Sequence, residues 1–336
     1  TRDEKDTTRS RANILREYLT NSDKINAFDH QEIYEVLDLC LSCKGCTSEC
    51  PSNVDIPSLK AEFLHQYYQS NGIPLRAQLF GHISKLNALG SLFPRMTNFM
   101  MTNKTVSALF KKSIGVAVQR QLPTLYKFTL QEWIEKNKAR LQNITNPTGQ
   151  VFFFVDEFTN YNDVTIGIKA IEVLYRLGYL VNFADHVESG RAALSKGLLP
   201  FAKECAISNV NTFATIIKDE SPLIGIEPSA ILTFRDEYPR LVHNHQKQDA
   251  QRISKNCMLF EEFLYNEFTA GRISQELFTS ETKTIKIQGH CHQKSLSSTD
   301  FSAWALQLPK NYMVDIIPSG CCGMAGSFGY DKEHYE

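Results

Sequence analysis

Residues 40–51 read Cys-Leu-Ser-Cys-Lys-Gly-Cys-Thr-Ser-Glu-Cys-Pro, which places four cysteines within eleven positions. Two residues separate Cys40 from Cys43 and Cys43 from Cys46, three residues separate Cys46 from Cys50, and a proline follows. Bacterial ferredoxins hold iron–sulfur clusters with runs of this kind. Structural zinc sites usually join two separated cysteine pairs rather than one continuous run. The run therefore predicts a [4Fe–4S] cluster on Cys40, Cys43, Cys46 and Cys50.

The spacing leaves the role of Cys50 open. In two-cluster ferredoxins the fourth cysteine ligates the other cluster, and this chain has no second run of the same kind. Cys50 either closes the single cluster or serves one whose other ligands lie on another segment. Within the run, we expect the charge of Lys44 to raise the reduction potential and Gly45 to leave N–H groups free for the sulfurs.

Helical periodicity surrounds the cysteine run. Residues 8–39 and 59–68 repeat apolar side chains at helical spacing, and Asp29 and Glu32 have the spacing of a capping box. Residues 1–75 are therefore predicted to form a helical, ferredoxin-like domain that carries the cluster.

A helical connecting region, residues 76–148, is predicted next. It is interrupted by prolines and rich in leucine, phenylalanine and methionine. Residues 86–114 suit core helices that wrap a neighbouring domain, which is the commoner use of such a composition. Lysines beside the apolar residues also fit a helix that lies on a membrane surface or binds a partner.

Strands and helices alternate after residue 148. Strand-like apolar runs occur at 151–155, 179–183, 222–226, 284–288 and 313–317, with helical segments at 166–177 and 294–306. This alternation predicts parallel sheets covered by helices. We expect two α/β units, residues 149–240 and 241–336, the second incomplete at its C-terminal end. The chain as a whole is predicted to be an α+β, multi-domain protein.

A second group of cysteines follows predicted strands of the later unit. Cys291 lies in Gly-His-Cys-His at 289–292, and Cys321 and Cys322 lie in Ser-Gly-Cys-Cys-Gly at 319–323. Because the carboxyl ends of parallel strands meet at one edge of a sheet, these thiols are expected to converge. Three thiols beside two imidazoles suit iron–sulfur or zinc ligation, or thiol redox chemistry. Cys205 and Cys257 are interpreted as buried structural thiols.

Composition excludes some classes of function. Lysine plus arginine number 36 and aspartate plus glutamate 37, so no basic excess favours nucleic-acid binding. The sequence has no apolar run of about 18 residues and no signal-peptide pattern. Nine cysteines without a secretory signal indicate metal binding rather than disulfides. We therefore expect a cytoplasmic protein, with peripheral attachment to the inner membrane as an alternative.

The chain is expected to be part of a longer protein. It begins with Thr1 rather than methionine, and Glu336 falls within a stretch, residues 330–336, that favours a helix.

Both cysteine motifs resemble those of a known family. They are similar to the iron–sulfur component of glycolate- and lactate-oxidising systems and to the cysteine-rich (CCG) domain of heterodisulfide reductase. Further motifs resemble the C-terminal half of fused FAD-linked 2-hydroxyacid dehydrogenases: TRDEK at 1–5, TRSRA at 8–12, LSKG at 194–197, EPSA at 227–230, RDEYP at 235–239 and GHCH at 289–292.

The resemblance implies an electron relay. A flavin on an FAD-binding domain or partner subunit would oxidise a 2-hydroxy acid such as lactate, glycolate or 2-hydroxyglutarate, and this chain would pass single electrons to quinone or another acceptor. It would not oxidise the substrate alone. Cys291, Cys321 and Cys322 would hold a second iron–sulfur cluster or zinc. A thiol–disulfide reductase and a structural zinc-binding module are the alternatives.

The chain departs from the family pattern in its first α/β unit. Residues 187–191 read Val-Glu-Ser-Gly-Arg where relatives have Gly-Cys-Cys-Gly-Arg, and Ala230 occupies a cysteine position. The first unit is therefore expected to bind no thiolate-ligated cluster in that manner. It is expected to act as a scaffold, or as a surface on which four charged residues serve another purpose: Arg191, Lys196, Glu227 and Arg235.

Overall fold

The computed structural model describes residues 3–335, so Thr1, Arg2 and Glu336 lie outside it. Its first part is helical and its second part combines helices with parallel sheets, which confirms the α+β class. The helices of the first part are α1 (Thr8–Asn21), α2 (Gln31–Asp38), α3 (Gly45–Glu49), α4 (Ile56–Asn71), α5 (Leu75–Gly81), α6 (Ile83–Ser91), α7 (Pro94–Thr102), α8 (Lys104–Ser113) and α9 (Leu130–Leu141).

Helices α1, α2 and α4 pack around a small apolar core that includes Leu15, Ile33 and Phe63. Helix α4 begins after Asp55, whose carboxylate accepts the N–H of Ser58 and so caps the helix. The predicted capping box at Asp29 and Glu32 is wrong. His30 is the N-cap of α2 and makes no side-chain cap bond.

Helices α6, α7 and α8 do not form the apolar core that the composition favours. The buried residues of α6 and α8 are polar, and α7 buries none of its side chains. The large apolar side chains in this region are exposed instead. Within residues 3–335, no helix has the length and apolar character needed to cross a bilayer.

The first sheet is parallel, with strand order β2-β1-β3-β4. Its strands are β1 (Gly149–Phe153), β2 (Tyr179–Asn182), β3 (Leu223–Gly225) and β4 (Cys257–Leu259). The accompanying helices are α10 (Val164–Arg176), α11 (Arg191–Ser195), α12 (Leu199–Phe213), α13 (Pro228–Asp236), α14 (Tyr238–Leu241), α15 (Lys247–Asn256) and α16 (Phe260–Thr269). Because β4 pairs with β3, the sheet continues past the predicted unit boundary at residue 240.

The second sheet has two parallel strands, β5 (Lys283–Ile287) and β6 (Tyr312–Ile316). Two helices, α17 (Cys291–Leu296) and α18 (Thr299–Leu306), replace the single predicted segment 294–306 between them. Both strands are largely exposed or half-buried. Residues 328–334 form short 3₁₀ turns rather than the helix favoured by the sequence.

Candidate metal centre

The first cysteine run connects α2 to α4. Cys40 is buried, and Cys43, Cys46 and Cys50 are half-buried. The predicted loop contains the short helix α3, because Ser42 and Lys44 adopt positive φ angles of 51° and 61° and turn the chain into it.

The thiols of this run have different surroundings. Burial raises the pKa of Cys46, and the backbone N–H of Ile56 only partly offsets it. By contrast, backbone N–H groups of Val54 and Ser52 lower the pKa of Cys50. N–H groups directed at sulfur also stabilise ligated thiolates. The loop after Cys50 is therefore suited to a negatively charged sulfur.

The second cysteine group lies where β5 and β6 end. Cys291 begins α17, and Cys321 and Cys322 lie in the loop after β6. Burial raises the pKa of Cys291 to about 12, and a hydrogen bond with Cys321 and the nearby thiol of Cys43 act in the same direction. The structure thus brings Cys291 and Cys321 into hydrogen-bond contact, and the thiol of Cys43, from the first run, lies near enough to act on Cys291 electrostatically.

Two hydrogen bonds join the two cysteine loops. The Ser295 hydroxyl donates to the carbonyl of Cys43 at 3.2 Å, and Nε2 of His292 lies 3.1 Å from the carbonyl of Ser42. Burial, followed by the charge of Arg191, lowers the pKa of His292 to about 2. The imidazole is therefore neutral, and its Nε2–H donates to Ser42. The Nδ1 atom of His292 is buried and has no partner among residues 3–335.

Lys44, expected to tune the cluster by its charge, occupies a buried group of carboxylates. Its side chain is 1% exposed, and its ammonium contacts Asp236, lies 3.0 Å from Glu237 and lies 3.6 Å from Asp55. Arg191 binds the same Glu237 at 2.5 Å. These ion pairs attach the cysteine loop to the segment that joins α13 to α14, and the effect of Lys44 on a reduction potential stays a prediction.

Arg240 completes this charge group. It donates to Asp55 at 2.8 Å and to Asp236 at 2.9 Å. Burial alone would raise the pKa of Asp55, but Lys44, Ser58 and Arg240 overcome that effect and lower it to about 2. The sequence analysis missed this group, although Asp236, Glu237 and Arg240 overlap or adjoin the motif at 235–239.

The residues present have the chemistry of an iron–sulfur site, but they do not form a closed coordination set. Within residues 3–335, no three His, Cys, Asp or Glu side chains converge closely enough to hold a metal ion. Around the second group there is open space, since a Cβ built at Gly320 or Gly323 would meet no atom within 4 Å. The N–H of Gly323 also donates to the sulfur of Cys321 at 3.4 Å. The thiol donors and free volume fit a bulky sulfur-ligated group.

Carboxylates occupy the equivalent edge of the first sheet. Glu157, which follows β1, accepts the N–H and hydroxyl of Ser189 at 3.0 and 2.6 Å. Ser189 and Ala230, for which the resemblance implies cysteine positions, are both fully buried. Glu227 lies 3.8 Å from His290. Hydrogen bonds and packing thus occupy this edge of the first sheet.

Comparison with known proteins gives relatives that are dehydrogenases or a dehydrogenase subunit. The chain is similar to D-2-hydroxyglutarate dehydrogenases. It is 26% identical to that of Escherichia coli K12 over 319 residues and 23% identical to that of Pseudomonas putida over 318 residues. Each match covers 92% of this chain but only 30% of the relative. The chain therefore spans less than a third of the length of these dehydrogenases.

A shorter relative matches over more of its own length. It is one of the subunits of the anaerobic glycerol-3-phosphate dehydrogenase of E. coli K12, and it is 24% identical over 289 residues, which is 85% of this chain and 70% of the relative. No family model and no solved structure matches the chain. The likeness to parts of two dehydrogenases supports an oxidoreductase that acts together with another domain or subunit.

Proposed function

We propose that this chain is the iron–sulfur, electron-transferring portion of a flavin-dependent 2-hydroxyacid dehydrogenase. An FAD-binding domain or subunit would oxidise a substrate of the lactate, glycolate or 2-hydroxyglutarate type, and quinone or another carrier would accept the electrons. The observation that carries the proposal is the contact of the two cysteine loops, with Cys43 beside Cys291. Similarity to D-2-hydroxyglutarate dehydrogenases supports the substrate class.

Cys40, Cys43, Cys46 and Cys50 are the proposed ligands of a [4Fe–4S] cluster, and Cys291, Cys321 and Cys322 those of a second cluster or zinc. When bound, an iron–sulfur cluster supplies one-electron chemistry, which complements a flavin that receives electrons in pairs.

The chain's own residues hold the two loops in place. Lys44 attaches the first loop to the first α/β unit, and Ser295 and His292 attach it to the second. Because two separate segments fix the first loop, one at residues 236–237 and the other α17, its cysteines are held near Cys291. Constant spacing between redox groups is what a relay requires.

The alternative of a thiol–disulfide reductase receives less support. That reaction would need a thiolate at Cys321 or Cys322, activated by a positively charged His290 or His292. Burial lowers the pKa of His290, which disfavours its charged form, and raises the pKa of the neighbouring Cys291 to about 12. His292 cannot supply a stabilising positive charge, because burial lowers its pKa to about 2. Metal binding displaces the proton of such a thiol directly.

Anaerobic purification followed by iron, sulfide and zinc analysis tests the proposal. We expect about four irons per chain for one cluster and an absorbance near 400 nm that dithionite bleaches. Cys46→Ser should remove this iron, whereas the matched buried-thiol variant Cys205→Ser should retain it. Zinc alone, under conditions that reconstitute a control ferredoxin, would support the structural zinc module and refute the relay.

Cys50→Ser distinguishes the two roles of Cys50. Loss of the iron would assign Cys50 to the same cluster as Cys40, Cys43 and Cys46. Retention of the iron would assign Cys50 to a cluster completed by another segment.

A further inference from the structure

The charges of this chain are unevenly distributed. Residues 63–131 contain no aspartate or glutamate, although the chain as a whole has 37 acidic residues against 36 lysines and arginines. The same segment contains eight lysines and arginines: Arg76, Lys85, Arg95, Lys104, Lys111, Lys112, Arg120 and Lys127. A nearly neutral protein therefore has one strongly positive segment.

Helices α6, α7 and α8, which lie in this segment, have their polarity reversed relative to core helices. The buried residues of α6 and α8 are Asn87, Ser107 and Lys111, and α7 has none. Large apolar side chains are exposed from the same region: Leu86, Leu89, Leu92, Phe93, Met96, Phe99, Met100, Val106, Leu109 and Phe110. We call residues 83–113 the apolar-basic face.

This exposure is extensive. Leu109 is 73% exposed, Leu89 67% and Phe93 66%. Consecutive helices of the face contact each other, α6 with α7 and α7 with α8, so these side chains belong to one continuous region. Isolated exposed apolar residues are ordinary, whereas a cluster of this size marks an interaction surface.

The charges identify the chemistry of the surface that this face binds. Arg95, Lys104 and Lys112 are exposed, and none of them forms an ion pair among residues 3–335. A second copy docked face to face would bring these like charges together. The core of a protein interface is usually depleted in lysine. Helices that lie in a membrane interface combine leucine and phenylalanine with lysine and arginine.

We propose that the apolar-basic face docks on an anionic lipid bilayer. The apolar side chains of α6, α7 and α8 would enter the boundary between headgroups and acyl chains, and the basic side chains would contact lipid phosphates. In this arrangement α6, α7 and α8 lie along the membrane surface. The inference does not depend on the electron-relay proposal, because vesicle binding requires no cofactor.

Vesicle flotation with the full chain tests this proposal. The probes are vesicles of phosphatidylcholine alone and of phosphatidylcholine with an equal part of phosphatidylglycerol, each at low and high salt. We expect binding to the anionic vesicles, weaker binding at high salt and little binding to the neutral ones. Absence of binding to both compositions would overturn the proposal.

Two sets of variants separate the apolar and basic contributions. Phe93→Ser with Phe99→Ser and Leu109→Ser should abolish binding, and Lys104→Glu with Lys112→Glu should weaken it about tenfold or more. All five side chains are exposed, so unchanged thermal unfolding is expected and verifies the fold.

Matched controls lie on other exposed surfaces. Leu277→Ser, at a residue that is 63% exposed, and Lys203→Glu with Lys218→Glu should leave binding unchanged. Equal losses in the controls would overturn the assignment to this face. Concentration-dependent self-association that the apolar variant removes, without any vesicle binding, would instead assign the face to a second copy.

Discussion

The two α/β units present different chemistry at the same edge of their sheets. In the first unit, Asp156 and Glu157 follow β1 and Glu227 follows β3, and all of them accept hydrogen bonds from nearby groups. In the second unit, the ends of β5 and β6 lead to Cys291 and to Cys321 with Cys322. One edge is filled by its own side chains, and the other has open space.

The strands of the two sheets also differ in burial. Strand β3 is wholly buried, whereas β5 and β6 are largely exposed or half-buried. The first sheet thus has a buried core, and its thiols, Cys205 on α12 and Cys257 on β4, are buried as well. Near the ends of β5 and β6, the thiols are half-buried or exposed. The comparison teaches that the side chains that follow the strands, rather than the parallel sheet itself, decide which groups are accessible at that edge.

The largest effect is expected from removing the ammonium that joins the cysteine loop to the first unit. Lys44→Met removes a buried ammonium, leaves the buried Glu237 with Arg191 and the partly exposed Asp236 with Arg240, and should reduce the free energy of unfolding by about 3 kcal/mol or more. Urea denaturation at pH 7 measures the change. The exposed control Lys203→Met should have little effect, and adding Asp236→Asn to Lys44→Met should recover part of the loss.

The next largest effect is expected at Asp156, where a substitution should increase the free energy of unfolding rather than reduce it. Burial, with Glu227 and Glu157 nearby, raises the pKa of Asp156 to about 7. A carboxyl with a raised folded-state pKa loses stability as pH increases from about 4 through 7, since the unfolded chain ionises first. Asp156→Asn should therefore increase the free energy of unfolding by about 3 kcal/mol at pH 8 and have little effect below pH 4. A difference independent of pH would contradict the raised pKa.

A pair of cysteine variants should separate the scaffold from the ligand site. Cys257 is 1% exposed in the first sheet, so Cys257→Ser should cost about 1–2 kcal/mol of stability without changing the metal content. Cys322 is exposed, so Cys322→Ser should change stability by less than about 0.5 kcal/mol but reduce the metal bound at the second cysteine group. Unfolding measurements and metal analysis of both variants test this contrast. Unchanged metal content in Cys322→Ser would contradict the prediction.

The smallest effect concerns Asp55, whose pKa is lowered to about 2 despite its burial. A depressed carboxyl pKa gives stability that is present above about pH 4 and is lost as pH falls toward 2. Asp55→Asn should remove about 1 kcal/mol at pH 7, because solvent screens part of the interaction, and should flatten the acid side of the stability profile. Thermal unfolding from pH 2 to 7 measures this profile. An equal loss of stability toward pH 2 in Asp55→Asn and in the unmodified chain would show that the ion pairs of Asp55 contribute nothing.

Local patterns in the sequence predicted much of the fold. Short runs rich in β-branched, aromatic and other apolar residues predicted the positions of β1, β2, β3, β5 and β6, because such residues favour strands. The short strand β4 was missed, since three residues before a helix give little pattern. The exposed apolar residues of α7 were expected in a core, because periodicity does not reveal what a helix faces.

The sequence likewise predicted one part of the candidate site and missed another. Cysteine spacing predicted its donors, and strand order predicted that Cys291 and Cys321 would meet. The contacts of Lys44 with Asp236 and Glu237 join residues about 190 positions apart, and no local pattern encodes such a pairing. The roles of the cysteines as ligands stay predictions.

The distance along the chain between Lys44 and its acidic partners has a consequence for biosynthesis. Asp236 and Glu237 leave the ribosome about 190 residues after Lys44, which takes on the order of ten seconds or more at typical translation rates. During that interval the cysteine loop lacks the contacts that fix its shape. If the proposed cluster is inserted into a loop of its final shape, insertion would therefore follow synthesis of residues 236–237.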